Sequence, residues 1–305
     1  MTQRWQKIGR IYCPAREQDW LQTHAAVPIA EHLGGDLFKI YFSSRNARSE
    51  SFTGYVVIDI TAPNRILDVS SVPVLQPGGL GEFDDSGAMA TWLTQYEGRN
   101  FLYYIGWNLG VTVPFRNSLG LAISPDGEKF ERYASGPILD RTVHEPHFVA
   151  SCCVVPGQDK WRMWYLSCTD WRVINGRPEH RYHIKYAESA DGITWNREGI
   201  VAIDYSDSAE YAISRPTVIR DKDCWRMWYS HRGSAYRIGY AESADGVKWA
   251  RLDAQSGIDV SKAGWDSEMI EYPFVFDHAG ARYMLYNGNG YGKTGFGLAV
   301  LEQSR

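Results

Sequence analysis

The 305-residue chain carries 32 basic and 36 acidic residues, a formal net charge of -4, so it lacks the basic footprint of a nucleic-acid-binding protein and none is expected as a partner. It is 44% hydrophobic and 14% aromatic with 29 glycines, enough apolar matter for a large core, and Trp- and Tyr-rich strands between Gly-marked turns point to an all-β protein. No apolar run is long enough to span a membrane, and the opening MTQRWQKIGR lacks the apolar stretch of a secretory signal.

The five cysteines (Cys13, Cys152, Cys153, Cys168, Cys224) are odd in number and show no metal-ligand spacing. The expectation is a reduced, cytoplasmic protein with no membrane partner, no announced metal site and no cofactor.

In chain order, the first segment, Trp5-Gln-Lys-Ile-Gly-Arg-Ile, resembles a later one, Trp195-Asn-Arg-Glu-Gly-Ile-Val. A repeat follows. Each unit has a short apolar run, an aromatic segment and a third strand. The first unit reads HAAVPIA, LFKIYFSS, TGYVVIDI; the second SGAMATWL, NFLYYIGW, LGLAISPDG. The third reads EPHFVASCCVV, KWRMWYLS, IKYAESADG, with Trp195 beyond; the fourth SRPTVIR, CWRMWYSH, IGYAESADG, with Trp249 beyond. The fifth, YPFVFD, ARYMLYNG, FGLAVLE, stops before a fourth strand. Alternating apolar residues running into Asp-Gly are a hairpin signal. The repeat predicts a single five-bladed β-propeller over residues 1–305, with residues near 5–12 supplying the outer strand of the last blade.

In such a ring the innermost strands start on one face, which they share with the loops joining the second and third strands. The Asp-Gly turns lie on the other face, so Asp126, Asp191 and Asp245 are expected to form turns. The starts of the innermost strands offer His24, Asp84, Asp85, Glu145, His147, Arg215, Glu268, Glu271 and Tyr272. The loops of that face add Trp107, Arg232 and Asn289. Aromatic faces stack on sugar C–H faces, while Arg, Asn and His hold hydroxyls or carboxylates. The set predicts one central pocket for a small-molecule or oligosaccharide substrate that is anionic or rich in hydroxyls.

Through its repeated Tyr-Ala-Glu-Ser-Ala-Asp-Gly-x-x-Trp element the chain resembles the five-bladed propeller glycosidases of glycoside hydrolase families 43, 32, 68 and 130. That resemblance implies acidic residues on the first strands of blades one to three. It makes Glu145 the acid, with a raised pKa, and Asp85 the base or nucleophile. Asp84, His147, Glu268, Glu271, Tyr272, Trp107, Arg232 and Asn289 would bind substrate, and Arg215 would hold a substrate carboxylate or phosphate. Blade one departs from the pattern, because His24 stands where an Asp is expected; His24 is then a catalytic candidate, with Glu271 as the other alternative partner. Three functions follow: a glycoside hydrolase acting on a small or terminal sugar of a bacterial surface glycan, a non-catalytic sugar-binding propeller, and a glycoside phosphorylase or sugar transferase.

Overall fold

The computed structural model describes residues 3–16 and 18–302, which are all-β apart from a 3-10 turn at Asp253–Gln255. The strands are β1 (Trp5–Tyr12), β2 (Thr23–Gly34), β3 (Leu37–Arg45), β4 (Ser51–Asp59), β5 (Ile66–Val69), β6 (Gly87–Tyr96) and β7 (Arg99–Leu109). Next come β8 (Phe115–Ser124), β9 (Glu131–Arg132), β10 (Val149–Val155), β11 (Trp161–Ile174), β12 (Arg177–Ser189), β13 (Trp195–Asn196) and β14 (Val201–Ile203). The last are β15 (Ala212–Arg220), β16 (Trp225–Arg232), β17 (Tyr236–Ser243), β18 (Ala250–Arg251), β19 (Glu271–His278), β20 (Ala281–Asn287) and β21 (Phe296–Leu301).

Hydrogen bonding joins them into several antiparallel meanders in a propeller-like arrangement. The meander β2-β3-β4-β5 meets β6-β7-β8-β9 at a single parallel bridge, Ser51 to Gly87. In the same way the meander starting at β10 meets the one starting at β15 through Tyr182 and Ala212. The remaining sheet, β1-β21-β20-β19, joins the two ends of the chain, with Trp5 opposite Leu301 and Tyr12 opposite Phe296. The first strands touch in succession: β2 meets β6, β6 meets β10, β10 meets β15, β15 meets β19, and β19 returns to β2.

Each of these five strands slips register against its neighbour near its start: Ala26/Ile29, Ala90/Trp92, Ala150/Cys152, Ser214/Thr217 and Glu271/Phe274. A bulge inserts extra residues and re-aims side chains. At three of them the backbone is forced to positive φ in a residue with a side chain: Val27 (55°), Arg215 (52°) and Tyr272 (56°). Such strain costs on the order of 1–3 kcal/mol per residue and tends to gather at functional sites.

Neighbouring meanders are pinned by rings. The Tyr103 hydroxyl donates to the Gly192 carbonyl at 2.8 Å, and Trp164 Nε1 donates to the Gly246 carbonyl at 2.8 Å. Both acceptors lie in Ser-x-Asp-Gly turns. In the first, Asp191 accepts the Ser189 hydroxyl and the Ile193 and Thr194 backbone N–H groups. Asp126 and Asp245 cap their turns in the same way. Among the described residues no helix is long and apolar enough to cross a membrane. None of the five cysteines forms a disulfide.

Candidate functional site

The starts of β2, β6, β10, β15 and β19, with the neighbouring loops, enclose a cavity of about 460 Å³. That volume suits a small ligand of sugar size. Val27, Met89, Ala150, Ser151, Ser214, Arg215 and Tyr272 form its floor, so all three strained residues are in it. Trp107, Phe115, Tyr182, Tyr236 and Tyr291 supply aromatic walls, and Arg45, Asn117, His180 and Arg232 supply polar ones. Of the residues expected in the pocket, the structure brings Trp107, Arg215, Arg232 and Tyr272 together. No aspartate or glutamate lines it among the described residues.

Two of the carboxylates expected there, Asp84 and Glu145, are held inside the meanders against a basic residue of an outer strand, and Glu210 and Asp266, which were not expected, are held the same way. Buried Asp84 takes Arg132 at 2.8 Å and 3.0 Å, with the Tyr104 ring alongside. Glu145 accepts hydrogen bonds from Tyr165 at 3.0 Å and Ser167 at 2.7 Å, and pairs with Arg197 at 3.0 Å and Lys185 at 3.2 Å. Glu210 takes Arg251 at 2.6 Å and His231 at 2.9 Å. Asp266 takes Lys7 of β1 at 2.7 Å and Tyr286 at 3.1 Å. The basic partners share a sequence signature, aromatic-x-basic: Phe130-Glu-Arg132, Trp195-Asn-Arg197, Trp249-Ala-Arg251 and Trp5-Gln-Lys7.

The expectation of a raised pKa at Glu145 is therefore corrected. Burial pushes its carboxyl up, but the Ser167 hydrogen bond and the Lys185 and Arg197 charges outweigh it and hold the group below its ordinary value. It is an ionised anchor. The first meander lacks the clamp: Phe42, opposite Gly54, replaces the tyrosine that stands opposite Gly120 (Tyr104) and Gly239 (Tyr229). With no hydroxyl there, and Asp68 rather than a base on β5, no acid is needed before β2. His24 is not at the clamp position: Thr23 opposite Arg45 matches Gly87 opposite Trp107 and Ala212 opposite Arg232, so the counterpart of Asp84 and Glu210 falls at Trp20–Leu21, where the Trp20 ring packs on Gly54.

His24 does not line the cavity. Its Nδ1 lies 2.9 Å from the Thr23 hydroxyl, and burial, then the charges of Arg45 and Lys293, lowers its pKa to about 4. Its ring is neutral at neutral pH, which does not suit it to donate a proton. Asp85 sits in the loop before β6, accepting the Gly81 backbone N–H at 3.1 Å and the Ser86 hydroxyl at 3.0 Å. His147 lies in a side pocket of about 260 Å³ with Arg116, Arg141 and Trp171, and Phe115 and Phe148 line both spaces. Exposed Glu268 and half-buried Asn289 staple a loop, the Asn289 side chain accepting the Glu268 backbone N–H at 2.8 Å.

Glu271 lies behind the wall rather than in it. It is fully buried, no side chain among the described residues hydrogen-bonds its oxygens, and burial raises its pKa well above the ordinary value despite Arg232 and the Tyr291 backbone. His180 is neutral too, lowered to about 4 by burial and then by Arg232. The hydroxyls of Tyr182 and Tyr236 bond to each other, and Arg232 Nη1 donates to Tyr291 at 2.8 Å.

Arg45 was missing from the residues expected in the pocket, although the repeat contains the signal for it. Arg45, Trp107 and Arg232 each stand three residues after the ring that faces the third-strand glycine, namely Phe42, Tyr104 and Tyr229. Among the described residues, no cluster of three or more His, Cys, Asp or Glu side chains is arranged to hold a metal.

Two proteins of Mycobacterium tuberculosis, named uncharacterized protein MT1551 (strain CDC 1551 / Oshkosh) and uncharacterized protein Rv1502 (strain ATCC 25618 / H37Rv), match nearly end to end. Each is 46% identical over 298 residues, covering 98% of this chain and 99% of the relative. The chain belongs to their family. No family model matches the sequence. Among solved structures, a glycoside hydrolase superposes with a TM-score of 0.75 at 18% identity, over 100% of this chain and 93% of that one. A glycosyl hydrolase from Bacteroides ovatus gives 0.73 at 13% identity, over 98% and 94%. A thermostable family-43 glycoside hydrolase gives 0.65 at 17%, over 92% and 88%. The chain shares the fold of these structures.

Proposed function

We propose that the chain is a five-bladed propeller whose central cavity recognises a small or terminal sugar of a bacterial glycan, without two-carboxylate hydrolysis there. The observation that carries this reading is the lining: aromatic faces and hydrogen-bonding groups, and no carboxylate. Glycoside hydrolysis by the usual route needs one protonated and one ionised carboxyl flanking the scissile bond. Asp85 and Glu145, the pair the resemblance implies, lie outside this cavity, and Glu145 is occupied by four donors. Trp107 would stack on the sugar ring, with Asn117, Ser151, Ser214 and Tyr272 offering hydroxyl partners.

The test pairs binding with turnover. Methyl glycosides are titrated against tryptophan fluorescence, and aryl glycosides are assayed with the wild type, Asp85→Asn and Glu145→Gln. Saturable binding that Trp107→Ala weakens, with no turnover, is the expected result. Aryl-glycoside turnover that Asp85→Asn abolishes while the fold is retained would establish the hydrolase instead. The cavity arginines favour a second reading, a phosphorylase or transferase, which turnover dependent on added phosphate would select.

A further inference from the structure

Four arginines of the blades meet carboxylates: Arg132 with Asp84, Arg197 with Glu145, Arg251 with Glu210, Arg282 with Asp221. Those at the cavity do not. Among the described residues no carboxylate lies within ion-pair distance of Arg45, Arg215 or Arg232. Arg215 is fully buried and lines the cavity, and its Nε and Nη1 have no hydrogen-bond partner. Its remaining contacts are Nη2 on the Pro28 carbonyl at 3.1 Å and the faces of Trp92 and Phe274 at 5.8 Å. The buried Nε of Arg232 is likewise unpartnered. Glu271 lies buried behind the wall, and burial raises its pKa well above the ordinary value while Arg232 pulls it down.

A buried charge without a partner is strongly unfavourable, and a charge-assisted hydrogen bond to an anion removes that penalty. We propose that the sugar this cavity receives carries an anionic substituent, a phosphate or a carboxylate, seated on Arg45, Arg215 and Arg232. This rests on reading the cavity as a sugar site and names the class of sugar.

The experiment titrates the intact protein with glucose, glucuronate, glucose 1-phosphate and inorganic phosphate, at low and high salt, in the wild type and in Arg45→Met and Arg232→Met. At least one of the two acidic sugars should bind about tenfold or more tighter than glucose, and either substitution should weaken it about ten- to a hundredfold. Each substitution should weaken the acidic sugar more than it weakens glucose, and Arg45→Lys should recover part of the acidic-sugar affinity. The stronger of glucuronate and glucose 1-phosphate identifies the substituent. Equal binding of neutral and acidic sugars, unaffected by the arginine substitutions, overturns the anionic class and leaves the sugar site standing. Phosphate alone binding as tightly as its sugar ester supports the anion seat and defeats the sugar reading. Failure of every anionic probe to bind overturns the proposal.

Discussion

The blades and the cavity use the same charged residue types in opposite ways. Between strands, an acid, a base and often a tyrosine close on one another, and in the clamp of Glu145, Arg197 and Tyr165 the carboxylate is fully partnered. At the cavity, Arg45, Arg215 and Arg232 form no ion pair among the described residues, and burial raises the pKa of Glu271 behind the wall. A satisfied clamp resists change because removing one partner strands the others. An unsatisfied cluster gains from a ligand, and losing one member relieves repulsion. Substitutions in the two regions should therefore separate stability from binding.

The largest effect should come from the chain's first strand. Deleting residues 1–12 removes β1 from the sheet it shares with β21 and strands Asp266 without Lys7. The truncated chain should fail to show a cooperative thermal transition by circular dichroism. Next, Glu145→Ala leaves Lys185 and Arg197 uncompensated and should cost about 3–5 kcal/mol in urea unfolding. Arg45→Met should move stability by no more than about 0.5 kcal/mol, while it weakens binding of an acidic sugar. A destabilised Arg45→Met with unchanged binding would merge the two regions.

Smaller effects appear with pH. The unfolded Glu271 side chain ionises near pH 4.3, whereas the folded one stays protonated well above that value, so its presence lowers stability as pH rises. Glu271→Gln should raise the melting temperature more at pH 8 than at pH 5. His24 and His180 work in the acid direction. Both titrate near 4 when folded and near 6.5 when unfolded, so the unfolded chain takes up protons first and stability falls as pH drops from 6.5 toward 4. His180→Gln should flatten that fall in a melting-temperature series.

Much of the fold was legible in the sequence because the repeat has a local cause. Alternating strands, Ser-x-Asp-Gly turns and the Trp5-x-Lys7 likeness to Trp195-x-Arg197 each specify a short-range structure, and β1 pairs with β21 as that likeness implied. The site was legible in part. Arg215 and Tyr272 were expected from the starts of innermost strands and Trp107 and Arg232 from loops of the same face; all four line the cavity, the last two from the ends of β7 and β16. Asp84 and Glu145 misled because proximity in sequence to an innermost strand does not say which side of the sheet a carboxylate faces. The partners that turn them inward, Arg132 and Arg197, lie 48 and 52 residues further on. Glu271 and Tyr272 show the same limit at one step: a bulge places the tyrosine on the cavity and its neighbour behind it.

The most direct measurement is a crystal structure of the protein soaked with glucose 1-phosphate. The account predicts the sugar ring against Trp107 and the phosphate on the cavity arginines, with the Glu145 clamp undisturbed. Density for the sugar beside Asp85 and Glu145, with the arginine-lined cavity holding only solvent, would contradict it.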